Sequence, residues 1–203
     1  MSPRNVCAAL AVLLAAAGCE RAGIGEAPAS SQHASRSAPV TAPETAVDAV
    51  ATGEPGLARN RWAAQSDLAR TVTGNLTASL EAGRGGPLVM AFANGQTLRM
   101  ERIAEHVGAD RTGSGGATFA ATLGADPNAG VFVYRVSDER IYPTAVQGGV
   151  CQREAAKYVA LSEFVNRNGD WVFVFAAYRG EQAPGPQAER DPQLCGAYGY
   201  AVN

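Results

Sequence analysis

From about Val72 to the C-terminus, short apolar segments alternate with Gly, Asn, Asp and Pro, the punctuation of many strands joined by tight turns. Leu76, Ala78 and Leu80 are apolar while the interleaved Thr77, Ser79 and Glu81 are polar, so this stretch reads as a strand with one buried face. Seven further segments carry a strand signature: 87–93, 96–103, 117–123, 130–136, 158–165, 170–178 and 197–202. The run from Trp171 to Ala177 is apolar on both faces, which predicts a central strand. Asn94-Gly95 falls between the second and third segments and Asn168-Gly169 between the sixth and seventh. Both central positions of a type I′ turn need a positive φ, so each Asn-Gly predicts a hairpin. Upstream, 57–70 contains neither Pro nor Gly and sets Leu57, Ala58, Arg61, Trp62 and Gln65 along one side, which predicts a short helix.

About eight strands in roughly 130 residues predict a mainly β fold, an antiparallel sandwich or a small closed barrel. A single domain over 57–203, entered through the short helix, suits that length. Composition separates this domain from what precedes it. Glu20 to about Pro55 is dominated by Ala, Ser, Thr, Pro and Gly and has no aromatic residue, so it buries too little to offset the entropy of ordering. It reads as a disordered linker within 19–56, spanning roughly 30 to 35 Å as a flexible coil.

Before the linker, Arg4 precedes an apolar run from Val6 to Ala17 that ends in small residues and a cysteine. The run is shorter than the roughly 20 residues a membrane-spanning helix needs, and its layout is that of a cleavable signal peptide over 1–18. The ending Ala16-Ala17-Gly18-Cys19 resembles the lipobox of bacterial lipoproteins, with Ala16 where Leu is usual. That resemblance implies a diacylglycerol and an amide-linked acyl chain, palmitate for example, on Cys19, and with them a membrane as partner. Glu20 stands where an Asp commonly retains lipoproteins in the inner membrane of enteric bacteria, so the same resemblance favours the outer membrane, facing the periplasm.

The four cysteines then divide without remainder. Cys7 leaves with the signal, Cys19 is acylated, and Cys151 and Cys195 are left together in an oxidising compartment, where they are expected to form a disulfide. A closed loop of about 45 residues is worth roughly 4 kcal/mol in the chain-entropy treatment. A metal site would need more ligands than the two thiolates, and His106 is the one histidine between 57 and 203. No metal and no cofactor is expected.

Motifs for chemistry are nearly absent. The chain has no Walker loop, dinucleotide fingerprint, zinc-protease helix or Gly-x-Ser-x-Gly elbow. His106 follows Glu105 in a polar stretch and reads as an exposed loop histidine. Gly-Ser-Gly-Gly at 113–116, with 183–187 and the stretch around Asp191-Pro192, reads as mobile surface loop, and Ser114 has no base that can be named for it. Asp138-Glu139 and Glu101 with Glu105 could be offered as glycosidase carboxylates, but solvated strand ends are the simpler reading. Acidic and basic side chains balance from Leu57 onward, so nucleic acid is not an expected partner. The tyrosines are numerous enough for a binding patch, although strand alternation puts several of them in the core.

Asn94-Gly95-Gln96-Thr97-Leu98-Arg99-Met100, then Ser114-Gly115-Gly116-Ala117-Thr118-Phe119, then Val131-Phe132-Val133-Tyr134 resemble parts of the small periplasmic or lipid-anchored β-barrels that inhibit C-type lysozymes. In that family a Ser-Gly-x-x-Tyr loop enters the lysozyme cleft, and Ser114 and Gly115 are the positions that carry over as a binding loop. Phe119 is displaced from the tyrosine position. The expectation from sequence is a lipid-anchored envelope protein with a non-enzymatic β domain that binds an envelope protein or glycan or plays a structural role. A lysozyme inhibitor is one alternative and an envelope hydrolase the other.

Overall fold

A computed structural model describes residues 60–202 apart from Arg84. The expected signal peptide, Cys19 and linker lie outside the described residues. Eight antiparallel strands form a closed barrel in simple chain order: β1 (Arg61–Ala64), β2 (Leu76–Leu80), β3 (Leu88–Phe92), β4 (Thr97–Val107), β5 (Gly130–Arg140), β6 (Tyr158–Val165), β7 (Trp171–Tyr178) and β8 (Leu194–Val202). Of the two expected architectures the barrel is the one formed. Closure removes the open edges that a sandwich keeps.

The strand that closes it lies inside the segment expected to be helical. Residues 57–59 of that segment are not described, but Arg61–Ala64 is strand, pairing Trp62 with Val202 and Ala64 with Tyr200 on one side and Trp62 with Leu76 on the other. Only 1% of Trp62 is exposed, and its ring lies 5.3 Å from that of Phe173. Burying this indole while completing the ladder outweighs a helix propensity worth only tenths of a kcal/mol per residue. Helical structure follows instead as a short π-type segment, Ala69–Thr73.

The interior is filled by side chains. Leu76, Leu88, Met90, Leu98, Met100, Phe132, Val159, Leu161, Phe173, Phe175, Tyr198 and Tyr200 belong to one buried cluster. Phe175 stacks between Tyr198 and Tyr200 at 4.8 and 5.9 Å. Val131, Val133, Ala160, Val174, Ala176 and Tyr178 on β5 to β7 form a second buried cluster on the outer wall, and β7 is apolar on both faces as the run Trp171 to Ala177 predicts. Their cover is the second correction to the sequence reading: 117–123 contributes no strand but the helix α1 (Phe119–Leu123). Phe119 and Leu123, one helical turn apart, bury themselves with Val131, Val133, Ala160, Val174, Ala176 and Tyr178 on the outer wall. Thr118 caps the helix by accepting from the Ala121 N–H at 3.2 Å, and Gly124 ends it at φ 66° in the left-handed region.

Both Asn-Gly hairpins form, between β3 and β4 and between β6 and β7, but not as two-residue turns. Phe92 N–H donates to Gln96 O and Gly95 N–H to Phe92 O, and Asn166 with Asp170 and Gly169 repeats the pattern. The positive φ falls on Gly95 and Gly169 alone, at 95° and 85°, which is the three-residue loop with its glycine in a bulge position. Asn94 and Asn166 accept from the backbone two residues on, fixing the bend.

Cys151 and Cys195 form the expected disulfide, with Cα atoms 5.0 Å apart. It ties the connection 141–157 to the start of β8. Val150, Cys151 and Ala156 of that connection join the interior cluster, and Tyr198 Oη donates to Val150 O at 2.7 Å, so the connection plugs one end of the barrel.

Candidate functional site

Two connections leave the barrel at opposite ends and meet over its outer wall. The β4–β5 connection starts where Val107 faces Gly130, and the β7–β8 connection starts where Tyr178 faces Leu194. Gly185 N–H donates to Thr112 O at 2.9 Å, and Ser114 Oγ donates to Asp191 Oδ1 at 2.9 Å. Gly113 sits between these two bonds at φ +82°, where a Cβ would lie 2.4 Å from Ala188 Cβ, so only glycine lets the connections close on each other. Buried Thr112 braces the turn from inside, donating to Ala117 O and accepting from Ser114 N–H, each at 3.1 Å. Beyond it Gly115 and Gly116 are exposed with open space around their Cα atoms. The stretches read as mobile surface loops are joined to one another by these bonds, with Pro184, Gly185 and Pro192 buried.

Asp191 is exposed, yet its carboxyl is held below the ordinary aspartate value, chiefly by the Gln193 N–H at 2.8 Å and then by the Ser114 hydroxyl. Both bonds favour the ionised form.

His106 corrects another expectation. It lies on β4, not in an exposed loop, and its side chain is 18% exposed. The ring stacks on Phe119 with centroids 5.4 Å apart, and Nδ1 lies 3.4 Å from Asp110 Oδ2. Gly185 roofs it so closely that a Cβ there would lie 3.2 Å from Nε2. Ala104, His106, Pro184, Gly185, Pro186 and Ala188 are among the residues lining a shallow, mostly apolar cleft of ≈ 310 Å³. Ser114 with Asp191 and His106 with Asp110 are two separate pairs, so these residues do not form the serine–imidazole relay a hydrolase uses.

The acidic pairs separate as well. Asp138 is exposed and pairs with Arg140 at 2.9 Å, whereas Glu139 turns inward and is half-buried, accepting from Gln96 Nε2 at 2.6 Å and Ala156 N–H at 2.8 Å. Glu139 is thus not the solvated strand end expected of it. Glu101 lies 3.8 Å from Arg99. Of the tyrosines, Tyr134, Tyr178, Tyr198 and Tyr200 are buried, as strand alternation predicts, and Tyr142 is exposed.

Sequence reasoning singled out Ser114 and Gly115 but missed the residues that hold them. Asp191, 77 positions away, has no local signal, while the run of glycines around Ser114 is legible only as a demand for positive φ. Among the described residues no three His, Cys, Asp or Glu side chains converge on a metal-sized site, and no helix is long and apolar enough to cross a membrane. Comparisons with protein families, with curated proteins and with solved structures return no match to this chain.

Proposed function

We propose that this chain is a lipid-anchored cell-envelope protein whose barrel is a non-catalytic binding domain, with the Ser114–Gly115 loop as its contact surface. The observation that carries the reading is the braced loop. A filled interior leaves recognition to the outside, and the outer wall carries a glycine turn fixed by the Ser114–Asp191 bond and by the fit of Gly113 against Ala188. Bracing lowers the entropy a loop loses when it docks, which is how a small exposed surface gains affinity. Lipidation at Cys19 rests on the lipobox, and the Cys151–Cys195 bond suits an oxidising compartment. A photo-crosslinker at position 115 of the full chain, activated in its native membrane, is expected to join one discrete envelope partner. That product should be lost when Gly113→Ala is added. Crosslinking no different from that of a probe on the opposite wall, at Ser79, would contradict the reading.

A lysozyme inhibitor is the second reading, favoured by the combination of a small closed barrel with an outward Ser114–Gly115 turn. Phe119 takes no part in it, because it is buried beneath His106. Inhibition of a C-type lysozyme at low micromolar concentration or better is expected on this reading, and none at a large excess ends it.

A further inference from the structure

Asn94-Gly95 and Asn168-Gly169 sit at matching positions in the two hairpins, and in each the glycine N–H donates back across the loop at 3.0 Å, to Phe92 O and to Asn166 O. Their side chains are held very differently. Asn94 is half-buried; its Nδ2 donates to Val72 O at 2.8 Å and its Oδ1 accepts from Gln96 N–H at 2.8 Å. Thr144 of the plug closes over the same turn, donating to Asn94 O at 2.7 Å, and a Cβ on Gly95 would lie 2.3 Å from its Oγ1. In the β6–β7 hairpin the bracing carboxamide belongs to Asn166 instead, which accepts from Asn168 N–H at 2.8 Å and from Asp170 N–H at 3.0 Å. Asn168 itself is exposed, its carboxamide bonds to none of the described residues, and a Cβ on Gly169 would meet nothing within 4 Å.

We propose that Asn168 is a site of spontaneous deamidation in the folded protein and that the fold protects Asn94 from the same reaction. The Gly169 nitrogen attacks Asn168 Cγ, the bond from Cγ to the carboxamide nitrogen breaks, and ammonia leaves with the proton that the Gly169 nitrogen gives up. Water then opens the resulting succinimide at either of its two carbonyls, which yields aspartate or isoaspartate at 168. Glycine suits the step because it sets no side chain beside the attacking nitrogen. The carboxamide has to swing free to bring Cγ against that nitrogen. Either turn gives up the same backbone bond, but Asn94 must also break two side-chain bonds beneath Thr144, and Asn168 breaks none. The open turn lies on the rim of a cleft of ≈ 650 Å³ lined also by Gln65, Trp171 and Tyr200, so the reaction adds a carboxylate there beside Asp170. Isoaspartate would in addition lengthen the backbone between β6 and β7 by one atom.

The test is peptide mapping by mass spectrometry of the full-length, oxidised chain held folded at mildly alkaline pH, with the reduced chain in denaturant as the reference. Conversion of amide to acid at Asn168 is expected to run roughly tenfold or more ahead of that at Asn94 in the folded chain, as two net hydrogen bonds predict. The two rates are expected to converge once the chain is unfolded. Asn168 is expected to yield both aspartate and isoaspartate, told apart by electron-transfer fragmentation. Equal rates at the two sites in the folded chain, a difference that persists unchanged after unfolding, or aspartate alone at 168 overturns the proposal.

Discussion

Ser114 Oγ stands 2.9 Å from Asp191 Oδ1 and joins connections that leave the barrel at opposite ends. Asp191 is fully exposed, so the bond sets the shape of the loop more than the stability of the fold. Ser114→Ala should raise the Asp191 titration midpoint toward, but not to, the ordinary value, because the Gln193 N–H remains. The depressed carboxyl favours the folded loop above its ordinary range and loses this as pH falls. A carboxyl NMR titration of both proteins reads the shift, and an unchanged Asp191 midpoint would show that the bond is not formed in solution.

Trp62→Ala should cost about 3–5 kcal/mol, the range for deleting a large buried aromatic, and should loosen the β1–β8 seam more than any other pair. The indole touches Phe173, and its strand is the shortest of the eight. Denaturant unfolding followed by circular dichroism measures the loss. A cost below about 1 kcal/mol would mean that Trp62 is not buried at a closed seam.

Removing the disulfide by Cys151→Ala with Cys195→Ala should lower stability by roughly 4 kcal/mol, the chain-entropy value for the loop closed. The sequence separation is 44 residues. The loss should centre on the plug, with faster exchange at residues 149–156 than in the β2–β3 ladder. Uniform loss across the barrel would argue against the plug as a local unit.

Burial pushes the Tyr198 hydroxyl up to about 12 and those of Tyr178 and Tyr200 further still. The unfolded chain loses these protons near 10 while the folded chain keeps them. Their contribution to stability is thus present below pH 10 and lost as pH rises through the folded values. Absorbance at 295 nm should show at least three tyrosines that ionise only together with loss of circular dichroism. Smooth ionisation of all six in a folded barrel would contradict the buried assignments.

What the sequence made legible follows from what is local. Alternation at Leu76, Ala78 and Leu80 and the two-sided run at β7 placed strands correctly, because burial is written every second residue. The strand at Trp62 and the helix at Phe119 were misread for the opposite reason. Trp62 is drawn into the ladder by Val202 at the far end of the chain, and Phe119 and Leu123 cover an outer wall that exists only once β5 to β7 are assembled. At the candidate site the glycines announced a turn, but the carboxylate that orders Ser114 comes from another loop, and Glu139 looks like any surface acid until the plug covers it.

Lipid anchorage of a disulfide-bonded barrel is read from the intact mass of the chain extracted with detergent from its native membrane, with thiol labelling before and after reduction. The expected result is a chain beginning at Cys19 with added acyl mass, and two thiols that label only after reduction. An unacylated mature chain, or Cys151 and Cys195 that label without reduction, would contradict it.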